Sequence, residues 1–244
     1  MSLSVQSSIR EQQQPTIREL AERIEATWQR HLDLTPYQLP DNLGYVESRL
    51  EGEKLIIENR CYQTPTFRKL HLELAQVGQG IDILHCVMFP RTEYALPIFG
   101  CDLVGARGQI SAAIVDLSPI SPLGLSMPYQ QALIGEDQEP FSQPRALPDW
   151  GDIFSDRCCF VRPADMAEAH RFIDKVERYL TIHCQQAATL LPTPHNRAAI
   201  FAGQQRYCRK QRQNDKTRRI LEKAFGDEWA DRYMTTVLFD LPDT

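Results

Sequence analysis

"HLELAQVGQGIDILHC", residues 71–86, alternates like a strand as far as Val77, turns through Gly78-Gln79-Gly80, and alternates again from Ile81. A period of two on both sides of a short Gly-rich turn predicts a β-hairpin. The second arm sets His85 among Ile81, Ile83, Val87 and Phe89, where an ordinary strand would carry another apolar residue. With the turn symmetric about Gln79, Glu73 falls directly across from His85 on the same face.

The same period continues outward. Between Gly44 and Leu117, "GYVESRL", "KLIIENRCY", "RKLHLELAQV", "IDILHCVMF", "IFGCDLVG" and "ISAAIVDL" are joined by "EGEK", "GQG", "PRTEYALP" and "ARGQ". Short strands linked by short turns predict an antiparallel meander. A connection symmetric about Glu93 and Tyr94 sets Asp102 opposite His85, and a turn centred on Ala106 and Arg107 brings Ser111 beside Asp102. The expected row is therefore Glu73, His85, Asp102 and Ser111. A slip of one residue would send a member to the other face.

Helical spacing brackets the strands. "TIRELAERIEATWQRHL", residues 16–32, places Ile17, Leu20, Ile24, Trp28 and Leu32 on one stripe behind Pro15 as a start signal. "MAEAHRFIDKVERYLTIH" does the same with Ala169, Phe172, Ile173, Val176 and Leu180, and further helix is predicted in "NDKTRRILEKAF", stopped near Gly226, and in "DEWADRYMTTVLF". The Pro-rich residues 119–149 lack periodicity and read as an irregular excursion before one more strand, "RCCFVRP". A sheet this apolar needs cover on both sides, so the expected fold is α/β: a central antiparallel sheet with helices on both faces, in a single domain over residues 1–244 without internal repeats.

Composition narrows the class. No apolar run in the 244 residues approaches the roughly 18 that a bilayer span needs. The start, "MSLSVQSSIREQQQ", has neither a signal-peptide centre nor transit-peptide character, so the expectation is a cytoplasmic protein. Seven cysteines without C-x-x-C spacing argue against a disulfide framework and a thiolate-held zinc or iron–sulfur site. The net charge of −5 argues against nucleic-acid binding, yet between Arg206 and Lys223 basic residues far outnumber Asp215 and Glu222. That run reads either as a solvated helix face or as a surface for an acidic partner. Nothing resembling a coiled-coil seam or a long exposed strand suggests more than a monomer.

A lone His on an apolar strand is ordinarily a satisfied core residue, with Glu73 as its ion-pair partner. Two carboxylates flanking one imidazole are harder to dismiss, because each buried charge is costly unless chemistry or a ligand exploits it. Such a cluster can hold and deliver protons near neutral pH. There is no G-x-G-x-x-G after a strand, no G-x-x-x-x-G-K-[ST], no H-E-x-x-H and no G-x-S-x-G. A two-His, one-carboxylate metal triad would need a second His on the same face, and His71 lies a full pleat step away. Strand alternation sends Cys86 to the face opposite His85, so the thiol and the imidazole do not serve one ligand together.

In these residues the chain resembles the ferredoxin-dependent bilin reductases. "PYQLPDNLGYVESRLEGEKLIIENRCYQTPTFRKLHLELAQVGQGIDILHCVMFP", "PIFGCDLVG", "SAAIVDLSP" and "QNDKTRRILEKAFGDEWADRYM" carry the resemblance over nearly the full length, and residues 119–149 carry it least. The resemblance implies a three-layer α/β/α sandwich with biliverdin IXα between the sheet and the C-terminal helices. It implies a four-electron reduction to phycocyanobilin, with electrons supplied singly by reduced ferredoxin and no metal or flavin bound. Glu73 matches the acid associated with the D-ring vinyl group. Asp102 and His85 match the pair that hydrogen-bonds and protonates the pigment before and during A-ring reduction. Ser111 and Arg145 resemble propionate contacts, Asn214 and Lys216 positions on the helical side of the pocket, and His71 a supporting histidine behind the site, although alternation alone makes it a surface residue. The basic segment 206–223 would then receive an acidic ferredoxin. Two other functions stay open: a pigment carrier without chemistry, and a sibling reductase giving a phycoerythrobilin-type product.

Overall fold

The computed structural model describes residues 8–40, 43–121, 123–135 and 139–241; residues 1–7, half of the polar opening segment, lie outside the described residues. Eight antiparallel strands form one sheet: β1 (Thr35–Pro36), β2 (Tyr45–Leu50), β3 (Glu53–Gln63), β4 (Phe67–Val77), β5 (Ile81–Pro90), β6 (Ile98–Ala106), β7 (Gln109–Ser118) and β8 (Cys159–Val161). They lie in the order β1-β3-β4-β5-β6-β7-β8, with β2 also paired to β3. The expected meander is therefore present.

Alternation sorts the strand residues into two cores. Leu70, Leu72, Leu74, Leu84, Cys86, Met88, Phe99, Cys101 and Leu103 pack under α1 (Pro15–His31) and an α-helix, Met166–Thr189. The opposite face, with Leu55, Ile57, Ala75, Val77, Val87, Phe89 and Ile98, packs under helices from the C-terminal third. The molecule is thus a three-layer α/β/α sandwich, as expected.

The helices are, in order, α1, α2 (Met127–Ala132), α3 (Met166–Thr189), α4 (Arg197–Gln211), α5 (Asp215–Phe225) and α6 (Asp227–Tyr233), the last running into a π-helical turn, Met234–Leu238. Two were not foreseen. The short α2 sits inside the Pro-rich excursion. α4 hides its apolar stripe because Gln204 and Gln211 share its buried positions with Ile200, Tyr207 and Cys208. Gln204 is accommodated there by donating from Nε2 to the Pro90 carbonyl at 2.8 Å. α4 also needs Gly203, since a Cβ there would lie 2.2 Å from the Ile120 carbonyl oxygen.

The register corrects one expectation. The β6–β7 turn is centred on Arg107 and Gly108, both in the left-handed region (φ 52° and 77°), as a tight two-residue hairpin demands. A bulge follows: Gly105 pairs with Ile110 but Val104 with Ala112, leaving Ser111 as the extra residue. Ile114, not Ser111, lies opposite Asp102.

Candidate functional site

The other two registers hold. Glu73 pairs with His85 and His85 with Asp102, and the row continues to Asn59 on one side and Ile114 on the other. Phe160 of β8 ends it.

The row is covered unevenly. At its β3–β4 end Asn59, His71 and Glu73 are buried beneath Tyr233 of α6. Toward β7 the cover thins: Gly100, Asp102, Val104, Ala112, Ile114 and Phe160 are all half-buried, while the alternate residues Cys101, Leu103, Ala113 and Val115 are fully enclosed on the other face. The sheet thus presents a partly open floor on the side of the C-terminal helices, with the acid–base row running across it.

His85 and Asp102 are joined by a hydrogen bond of 2.6 Å from Nδ1 to Oδ1. Burial works against a charged imidazole, but the Asp102 charge and hydrogen bond, joined by the Glu73 charge, outweigh it and hold the His85 pKa above its ordinary value. Nε2 is buried without a hydrogen-bond partner among the described residues. The Phe239 ring meets the imidazole edge-on at 5.8 Å.

For Glu73, burial is the dominant influence and raises the pKa; His85 and a hydrogen bond from Tyr233 oppose it without cancelling it, and Asp102 adds to it. Tyr233 Oη lies 2.6 Å from Glu73 Oε2 and 2.9 Å from Asn59 Oδ1. Asn59 donates from Nδ2 to the Leu43 carbonyl at 2.7 Å, which turns its Oδ1 toward Tyr233 and toward His71 Nε2, 2.7 Å away.

His71 is therefore no surface residue: it is fully buried, and burial drops its pKa well below the usual histidine range. A strand residue with both faces of its sheet covered has no exposed side to turn to. Asn59 and Tyr233 escaped the sequence reading. Asn59 carried a signal, a polar residue on the inward beat of "KLIIENRCY"; Tyr233 carried none, since it arrives from 160 residues away.

Residues 237–240 are tied down beside this network. A bulge at Arg68 lets two consecutive cations share a face: Arg68 pairs with Asp240 at 2.5 Å, while Lys69, wholly buried, reaches Asp240 and donates to the Val237 carbonyl at 2.7 Å.

The remaining expected site residues separate into two groups. Arg145 donates from Nη1 to the Ser111 carbonyl at 3.1 Å and lays its guanidinium over Phe160, so these two residues meet at the open end of the floor. Ile110 and Ala113 both point into the α1–α3 core, which leaves Ser111 and Ala112 to the site face. Asn214 caps α5 by accepting from the Lys216 backbone at 3.2 Å, and Lys216 is exposed in the first turn of that helix. Neither makes a hydrogen bond to the row. Among the described residues no three His, Cys, Asp or Glu side chains converge in a way that could hold a metal ion.

A family model for the ferredoxin-dependent bilin reductases matches residues 21–240. The chain belongs to this family. The reductase is 60% identical over 234 residues to a phycocyanobilin:ferredoxin oxidoreductase of Trichodesmium erythraeum, covering 95% of this chain and 96% of the relative. It is 58% identical over 246 residues to a protein of the same name from Synechococcus elongatus, covering 99% of each. Its fold is shared with tomato phytochromobilin synthase, solved in complex with biliverdin, at a TM-score of 0.70 and 17% identity over 91% of this chain and 82% of that one. It is a ferredoxin-dependent bilin oxidoreductase. No helix among its described residues is long and apolar enough to cross a membrane.

Proposed function

We propose that the reductase converts biliverdin IXα to phycocyanobilin in four one-electron steps from reduced ferredoxin, each paired with a proton, as a monomer without bound metal or flavin. The observation that carries this reading is the unbroken cross-strand row Glu73–His85–Asp102 on the half-open floor of the sheet. The names of the relatives at 58–60% identity support the product. An electron added to an extended pigment in a partly dry cleft is costly unless a proton follows it, so the protein's task is acid delivery at defined positions.

Glu73, at the closed end, is the acid for the outer vinyl group. His85 and Asp102, sharing one short hydrogen bond with a free imidazole nitrogen beside it, bind the pyrrole and lactam edge and protonate the pigment before and during A-ring reduction. Ser111 and Arg145, together at the open end, hold a propionate, and Asn214 and Lys216 contact the pigment from the helical side. His71 supports the row from behind through its hydrogen bond to Asn59. The vinyl and A-ring reductions each take two electrons and two protons, which closes the balance at four of each.

Ferredoxin docks on the basic stretch 206–223. Part of its charge is already paired, Arg206 and Lys210 with Asp152, Arg218 with Asp231, and Lys223 with Glu51. Arg209 is exposed, draws no ion pair among the described residues, and faces the acidic partner. Anaerobic incubation with biliverdin and a reduced ferredoxin system, followed by chromatography of the pigment, tests the reading. Phycocyanobilin is the expected product; unchanged biliverdin would identify a carrier, and a phycoerythrobilin-type product a sibling activity.

A further inference from the structure

Tyr233 has one hydroxyl proton and two oxygens within reach, Glu73 Oε2 at 2.6 Å and Asn59 Oδ1 at 2.9 Å. The orientation of Asn59 is fixed, because its amide nitrogen serves the Leu43 carbonyl. His71 must then donate from Nε2 to Asn59 Oδ1, which leaves its Nδ1, buried without a partner among the described residues, as the bare nitrogen. If Tyr233 also donates to Asn59, the shorter contact to Glu73 needs its proton from the carboxyl group. The arrangement that leaves no two lone pairs facing each other therefore has a neutral Glu73 donating to Tyr233, and Tyr233 donating to Asn59.

The tyrosine ring itself cannot readily move. It stacks on Trp229 at 4.8 Å and 12°, and Trp229 stacks on Phe225 at 3.9 Å and 18°. Only the hydroxyl hydrogen is free to rotate. The other titratable groups around this trio are His85 on β5, Asp102 on β6, Lys69 and His71 on β4, Cys61 on β3 and Asp240 near the chain end.

We propose that Tyr233 is a positioning residue for Glu73: its hydroxyl accepts a hydrogen bond from the protonated carboxyl in the resting enzyme, and turns to donate to the carboxylate once that proton has left for the pigment. The inference rests on Glu73 being the vinyl-directed acid. In the step itself the Glu73 O–H bond breaks and a C–H bond forms at the vinyl group, while ferredoxin supplies the electron. No bond of Tyr233 breaks, since its O–H rotates from Asn59 to Glu73, and water later returns a proton to Glu73. Burial already favours the neutral carboxyl, so an acid in this place needs a donor that appears only after ionisation.

The test is infrared titration of the protonated Glu73 carbonyl stretch, assigned by its loss in Glu73→Gln, together with the ratio of vinyl-reduced to vinyl-intact product. The band should be present in the wild type at neutral pH. Tyr233→Phe removes the donor to the carboxylate and should raise the midpoint by about one unit, a tenfold change in proton affinity. Its vinyl step should slow to a similar degree while A-ring reduction continues. Asn59→Leu removes the competitor for the tyrosine proton and should shift the midpoint down. Opposite signs are the signature, because general loosening of the site would move both variants alike.

No protonated band in the wild type, or shifts of one sign, overturns the proposal; should Tyr233→Phe not fold, the wild-type band and the Asn59→Leu shift decide it. If Glu73→Gln still makes normal product, the acid reading of Glu73 fails as well. If Glu73→Gln loses vinyl reduction but Tyr233→Phe changes neither midpoint nor product ratio, only the role of Tyr233 falls.

Discussion

Asp102 and His85 share a 2.6 Å hydrogen bond across β5 and β6, yet the Asp102 side chain is 46% exposed and that of His85 only 13%. The carboxylate is the half of the pair that meets solvent, and the imidazole is the half that the protein encloses. Asp102→Asn keeps the shape and removes the charge that holds the His85 pKa up. Turnover should fall by about 10²- to 10⁴-fold, the range for loss of a general acid–base group, and the His85 titration followed by NMR should move to lower pH. Stability should respond too. A raised imidazole pKa stabilises the native state below the ordinary value of 6.5, and this is lost as pH rises through the folded value. In Asp102→Asn that contribution should be missing at acid pH.

Glu73→Gln should separate the two reductions. With no proton to give at the closed end, the vinyl group should survive while the A ring is still reduced beside His85 and Asp102. Absorbance and chromatography of the product check this, and phycocyanobilin at the wild-type rate would remove Glu73 from the mechanism.

Asp240→Asn should release the segment around Met234–Leu238. Lys69 would then be a wholly buried ammonium with only neutral oxygen partners, the Val237 carbonyl among them, a loss worth about 3–5 kcal/mol. Chemical denaturation should show it, with faster amide exchange concentrated in residues 234–241.

Asp116 makes a pH prediction of opposite sign to the usual carboxylate. It accepts from Ser118 Oγ, the Ser155 amide and Ser155 Oγ, but burial prevails and its pKa is pushed up to about 6 from 3.8. Between those values the unfolded chain ionises first, so the native state loses stability as pH rises, by on the order of 3 kcal/mol in all. Asp116→Asn removes that slope. The stability difference from wild type should shift toward the variant across about pH 4 to 7 in thermal or urea unfolding.

Arg209→Glu should weaken ferredoxin use without altering pigment affinity. An increase of about three- to tenfold in KM for ferredoxin at low salt, fading at high ionic strength, is expected for charges that steer an encounter.

Much of this site could be read from local pattern. The turn at Gly78–Gly80 and the connection around Glu93 and Tyr94 are each symmetric, so counting outward places Glu73 and Asp102 against His85. The same counting failed at Ser111, because the turn sits one residue later, at Arg107 and Gly108, and a bulge then adds a residue without announcing itself in the alternation of "QISAAIVDL". α4 was missed where glutamines occupy inward positions, which periodicity scores as exposed. Tyr233 was beyond reach, since its meeting with Glu73 depends on how α6 settles on the sheet.

The unequal cover of the sheet leaves β6 answerable to two different demands. Phe99, Cys101 and Leu103 are held to shape by the dry interior, whereas Gly100, Asp102 and Val104 answer to whatever enters from outside. Substitutions along this one strand would therefore cost folding and catalysis by turns, on successive residues, and a variant library could retune pigment choice on the even positions without touching the odd ones that keep the protein whole.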